Sequence, residues 1–201
     1  EHGMSRCVLG TRKDDVNALP PCAECMRQSR STYHAARVRP FQFAEDPSLA
    51  AELQSMSREQ MMALEVEGVP LGTLTLPAQR WVLRRHTLSD DLATRFLFSR
   101  FLLSTWWIVQ DFGALLDEVN PQAVVVFNGQ FFPEAAARYA AQQRGIRVIS
   151  HEVALRPHTA YFTTGEATAY PIDIPAQFEL NEAQNARLNE YLEQRFQGNF
   201  S

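Results

Sequence analysis

His151 and Glu152 carry the strongest acid–base potential in this 201-residue chain. An imidazole or carboxylate beside a substrate hydroxyl can remove its proton as that oxygen attacks. Earlier in the chain, Asn128-Gly129-Gln130 offers two side-chain amides and a short run of backbone N–H groups. Such neutral donors and acceptors suit hydroxyls or a phosphate. Cys22-Ala23-Glu24-Cys25, with Cys7 and His34 nearby, has the ligand types that zinc prefers. A structural metal and plain loop cysteines both fit this pattern. No second C-x-x-C or H-x-x-x-H completes a tetrahedral set, so the expectation is no metal and no Cys22–Cys25 disulfide. No G-x-G-x-x-G, Walker lysine or G-x-S-x-G is present.

The elements around the polar clusters give them a common place. Ala123–Phe127 is an unbroken apolar run, as in a strand buried on both faces of a parallel sheet. It stops at Asn128. Pro133 and Glu134 then open a helix, with the proline at its first position, and Gly145 suits a left-handed cap at its end. Ile146–Ser150 is the next strand, with His151 and Glu152 just past it. Ligands of open α/β sheets bind outside the carboxyl ends of the strands. Asn128, Gly129, Gln130, His151 and Glu152 are therefore expected to line one accessible cleft. Asn128-Gly129 also fits a plain tight bend, and His151-Glu152 a packing feature; both readings stay open.

The rest of the chain supplies supporting elements. Lys13–Arg30 is expected to be a loop. Asp46 and Pro47 begin a helix to about Glu67, before Gly68. Val69–Leu76 is expected to be extended, and Pro77 to start a helix through Arg85. Ser89 or Asp90 caps a long helix over Asp91–Val119, apolar almost all round and so central. Trp106 and Trp107 fit its core better than a sugar-stacking platform. Tyr161–Gly165 is expected to be surface loop with a short strand. Asn181, with Gln184 as capping-box partner and Leu180 as staple, starts a last helix. Leu188, Leu192 and Phe196 form its stripe, and Gly198 ends it.

Composition narrows the function class. The chain is 45% hydrophobic and 21% charged, ordinary values for a globular protein. A net charge of −4 argues against nucleic acid, whose phosphates call for a basic face. The longest apolar stretch, Phe96–Val109, is interrupted by Arg100 and too short to span a bilayer. Three cysteines, an odd count, do not make a secreted disulfide framework, so a reducing cytoplasm is expected. Glu1-His2-Gly3 looks like a helix end and Met4–Leu9 like a strand. A preceding strand and helix are therefore expected upstream.

Val124–Gln130, the Pro133-Glu134-Ala135-Ala136 helix start and Gly145–Glu152 resemble the amino-terminal domain of bacterial capsule and surface-polysaccharide glycosyltransferases of the two-Rossmann-domain (GT-B) type. In that family the first strand ends in Asn-Gly-Arg, where this chain has Gln130. The likeness is firm over Ala123–Val153 and looser over the long helix and Leu188–Gly198. The resemblance implies an α/β fold: a Rossmann-like parallel sheet with helices on both faces, here lacking its first strand and helix. Residues 1–201 would form one domain, the acceptor side of the enzyme. A nucleotide-sugar domain absent from this chain would follow. Transfer would run from a nucleotide-sugar co-substrate to a saccharide or lipid-linked acceptor, with no cofactor bound here. His151 and Glu152 would be catalytic, and Asn128, Gly129, Gln130 and Arg156 would bind substrate. The location would be cytoplasmic, peripheral at the inner membrane face. Two rivals remain: a non-catalytic α/β module binding saccharide or protein, and a small α/β hydrolase or nucleotide-binding enzyme using His151 and Glu152.

Overall fold

The structure is a computed structural model describing residues 22–41, 43–154, 158–165, 167 and 174–197. The Met4–Leu9 strand expectation, Cys7, and Arg156 lie outside these residues, as does the side chain of Cys22. The chain divides into two compact units, Glu1–Ala169 and Tyr170–Ser201.

The described part of the first unit begins with α1 (Cys22–Thr32), α2 (Pro47–Ser55), α3 (Arg58–Met62), α4 (Leu71–Leu83) and α5 (Leu92–Val119). There follow β1 (Ala123–Phe127), α6 (Phe132–Gln143), β2 (Arg147–Val153) and β3 (Ala160–Thr163). The spine is α5. Leu97, Phe98, Phe101 and Leu102 are fully buried on it, and Trp106 is buried too, as its all-round apolarity requires. Helices α2, α3 and α4 pack on it, and α6 lies against it more extensively. Phe101 meets Phe132 of α6 with ring centroids 4.9 Å apart. Two polar contacts register α4 on α5 inside this core. The Thr75 and Thr105 hydroxyls lie 2.7 Å apart, and Gln79 donates to the Thr94 carbonyl at 3.1 Å. Asp117 of α5 takes Arg144 in a two-pronged ion pair at 2.7 and 2.9 Å, fixing the far end of α6.

Several expected boundaries are corrected. Cys22–Arg30 is helical rather than loop, so Cys22 and Cys25 share the first turn of α1. The single helix expected from Pro47 to Glu67 is two. Ser57 accepts from the Gln60 N–H while the Gln60 side chain accepts from the Ser57 N–H, and this capping box starts α3 anew. The Val69–Leu76 segment is not extended throughout: α4 begins at Leu71 and carries Pro77 in its interior. A proline there removes one helical hydrogen bond. Burial of Leu71, Thr75 and Ala78 along one face holds the helix together through it. Gly72 is required at this junction, since a Cβ would come within 2.2 Å of the Met62 carbonyl oxygen. The α5 cap is Asp91, whose side chain accepts from the Thr94 N–H, rather than Ser89 or Asp90.

The β1–α6–β2 unit is as expected: β1 and β2 are adjacent and parallel, Ala123 opposite Arg147 and Phe127 opposite His151. Gly145 adopts φ +66° after the helix. Pro133 stands second in α6 rather than first. The sheet, however, is mixed. β3 pairs antiparallel with β2, giving the order β1-β2-β3. A wholly parallel sheet is therefore replaced by a three-stranded α/β sheet with one parallel pair. Val124, Val126 and Val148 pack under α6, with Leu116 of α5. Among the described residues of the first unit no helix covers the other face, where Val125 is 60% exposed. The expected helices on both faces are therefore seen on one face only among the described residues of this unit.

The second unit contains α7 (Glu182–Phe196), started by the expected capping box of Asn181 and Gln184. It buries none of its residues.

Candidate functional site

The turn after β1 is built on two consecutive left-handed residues, Asn128 at φ +59° and Gly129 at φ +81°. Asparagine tolerates this region better than most residues because its short side chain bonds locally. Here the Asn128 carbonyl group of the side chain accepts from the Gln130 N–H at 3.1 Å. Glycine is needed next: its φ is unfavourable for L residues, and a Cβ would approach the Ser150 hydroxyl to 3.0 Å. The rest of Asn128 is also engaged. Its N–H donates to the His151 carbonyl at 2.7 Å, and its carbonyl accepts from the Ala167 N–H at 3.0 Å. Its side-chain amide donates to Glu152 Oε2 at 2.7 Å.

Glu152 is thereby fixed. Its other oxygen, Oε1, accepts from the Val153 N–H at 2.7 Å. Each carboxylate oxygen has more than one acceptor position, so a hydroxyl can still bond to it while Asn128 holds its orientation. Beneath lies Ser150, fully buried, its hydroxyl without a hydrogen-bond partner among the described residues. From α6, Arg138 reaches back to donate to the Gly129 carbonyl at 3.2 Å. The helix thus supplies a guanidinium to the turn.

His151 and Glu152 do not sit past the strand. Both belong to β2, paired with Phe162 and Tyr161 of β3. Neighbours in a strand point to opposite faces. His151 therefore lies on the open face, between Phe127 at 5.3 Å and Phe162 at 5.8 Å between ring centroids. Glu152 lies on the α6 side with Asn128. The structure thus brings together Asn128, Gly129 and Glu152, while the His151 side chain belongs to a separate aromatic row. The Gln130 backbone joins the first group; Arg156 is outside the described residues.

Glu134, in the first turn of α6, was legible only as a helix-start carboxylate. Burial pushes its carboxyl above the ordinary glutamate range, partly opposed by a hydrogen bond from its own backbone N–H. Nothing in the sequence distinguishes it from a solvated first-turn glutamate. Among the described residues no group of three His, Cys, Asp or Glu side chains is arranged to hold a metal, and Cys25 is exposed. No described helix is long and apolar enough to cross a membrane.

No family model, curated protein or solved structure matches this chain.

Proposed function

We propose that this chain is the acceptor-side domain of a glycosyltransferase of surface- or capsular-polysaccharide biosynthesis, working with a nucleotide-sugar co-substrate held by a further domain. The observation that carries the reading is the Asn128–Glu152 hydrogen bond at the carboxyl end of the parallel pair. It presents an oriented carboxylate on a rim of backbone and amide groups, the chemistry a sugar hydroxyl needs. Glu152 takes the hydroxyl proton as the acceptor oxygen bonds to the donor's anomeric carbon. The bond from that carbon to the nucleotide phosphate breaks, and the phosphate leaves with its electron pair.

Given the division of the strand between two faces, Glu152 rather than His151 is the base in this reading. In the product of the complete reading frame, Glu152→Gln lowers transfer from the nucleotide sugar by about 10²-fold, the usual scale for losing a general base. His151→Ala leaves transfer within a few-fold of wild type. Normal transfer in Glu152→Gln removes the catalytic reading.

A second reading, a non-catalytic saccharide- or protein-binding module, is favoured by the open-face row of Phe127, His151 and Phe162. Phe162 is 62% exposed, and contiguous exposed apolar surface commonly marks an interaction site. Binding abolished by Phe162→Ala, with no transfer from any nucleotide sugar, selects this module.

A further inference from the structure

A cavity of about 370 Å³ opens between α3, the end of α4 and the segment that follows α4. It shares no residue with the strand-end cluster. Met62, Ala63 and Leu88 make part of its wall, while Arg58, Arg80 and His86 bring nitrogen donors to it. The charges within it are unevenly matched. Arg58 is paired with Glu59 and also donates to the Leu88 carbonyl. Arg80 has no carboxylate and no hydrogen-bond acceptor among the described residues, and its Nε is buried without a partner.

The Nε atoms of Arg58 and Arg95 are also buried without a hydrogen-bond partner, but those two arginines, like Arg100 and Arg144, are each matched by a carboxylate: Glu59, Asp90, Glu45 and Asp117. A guanidinium whose inner edge is buried and unpaired gains most from an anion whose several oxygens accept its forked donors together, as those of a phosphate do. His86 and Thr87 stand exposed at the cavity's rim and can add donors to such an anion. The apolar wall requires more than an inorganic ion, since it gains only from a ligand with a body to bury.

We propose that this cavity binds a phosphate-bearing ligand with a short apolar body, the phosphate on Arg80 and the body against Met62 and Leu88. Glu59 acts against it in two ways, by engaging Arg58 and by placing a like charge beside the anion. The site stands whether or not the chain is a glycosyltransferase.

Isothermal titration at low salt tests the site with inorganic phosphate, hexyl phosphate, and phosphatidylcholine vesicles containing phosphatidic acid. Hexyl phosphate binds one-to-one and at least ten-fold more tightly than inorganic phosphate. Arg80→Met, which keeps the aliphatic stem, weakens it ten-fold or more. Glu59→Gln tightens it about three-fold, a gain that misfolding cannot produce. Vesicle binding lost in Arg80→Met assigns the phosphate to a lipid headgroup, and its absence beside hexyl phosphate binding assigns it to a soluble ester. No saturable binding in any arm, equal affinity for the two soluble phosphates, unchanged binding in Arg80→Met, or weaker binding in Glu59→Gln overturns the proposal.

Discussion

The two faces of the β1–β2 pair come from one apolar sequence and end in different environments. Val124, Val126 and Val148 are buried under α6 and α5, while Val125, Phe127 and Val153 remain largely exposed on the opposite side. The covered face leads at its carboxyl end to Asn128 and Glu152, hydrogen-bonded and fixed. The open face leads to His151, whose side chain packs between the rings of Phe127 and Phe162. Burial alone, alternating along each strand, decides which polar residue becomes a rigid part of the fold. It therefore separates two adjacent residues that look like a catalytic pair.

The largest expected effect comes from placing a charge on each face. Val126→Asp buries an uncompensated carboxylate and costs about 3–5 kcal/mol, enough to unfold a marginal domain. Val125→Asp, one residue away but exposed, costs no more than about 1 kcal/mol through strand preference. Urea midpoints measure both, and equal losses would mean that the open face is covered in solution.

An intermediate effect sharpens the covered face at the turn. Gly129→Ala forces an L residue to φ +81° and against Ser150, for about 1–2 kcal/mol. Ser150→Ala removes the hydroxyl that the new methyl meets. In the double variant part of the loss returns, a coupling of about 0.5 kcal/mol or more in a double-mutant cycle. Strict additivity would show that the turn does not press on β2.

The smallest effect is a dependence on pH. Burial raises the Glu134 carboxyl above its ordinary value of 4.5. The folded state therefore binds more protons than the unfolded state between the two values. Stability from this group is complete below the unfolded value and falls as pH rises through the folded one. Glu134→Gln removes that decline, so its stability gain over wild type is greater at pH 7 than at pH 4. A gain equal at both pH values would contradict the assignment.

Much of this architecture was legible because local signals agreed. The parallel strands, the helix between them, Gly145 and the Asn181–Gln184 box each rest on residues whose chemistry permits few alternatives. The failures have equally local causes. Ser57-x-x-Gln60 is a helix-start signal inside what looked like one helix, and Pro77 looks like a start although tertiary burial carries α4 through it. β3 extends the sheet on β2, which turned His151 and Glu152 from loop residues into strand residues on opposite faces. Three valines and a phenylalanine in a row cannot show which face a helix will cover. The Asn128–Glu152 contact depended on that information, whereas the placement of Asn128-Gly129 at a strand end did not. Arg80 was invisible for a related reason: an unmatched arginine is recognised only when its surroundings are known.

The central claim is that the polar rim on the covered side, not the aromatic row on the open side, receives the sugar. Backbone amide chemical shifts, followed while the chain is titrated with a panel of bacterial surface oligosaccharides, test it most directly. The expected result is saturable shifts at Gly129, Gln130 and Glu152, lost in Asn128→Ala, with Val125 and Phe162 unmoved. Shifts confined to Phe127, His151 and Phe162, and indifferent to Asn128→Ala, would contradict the account and move recognition to the open face.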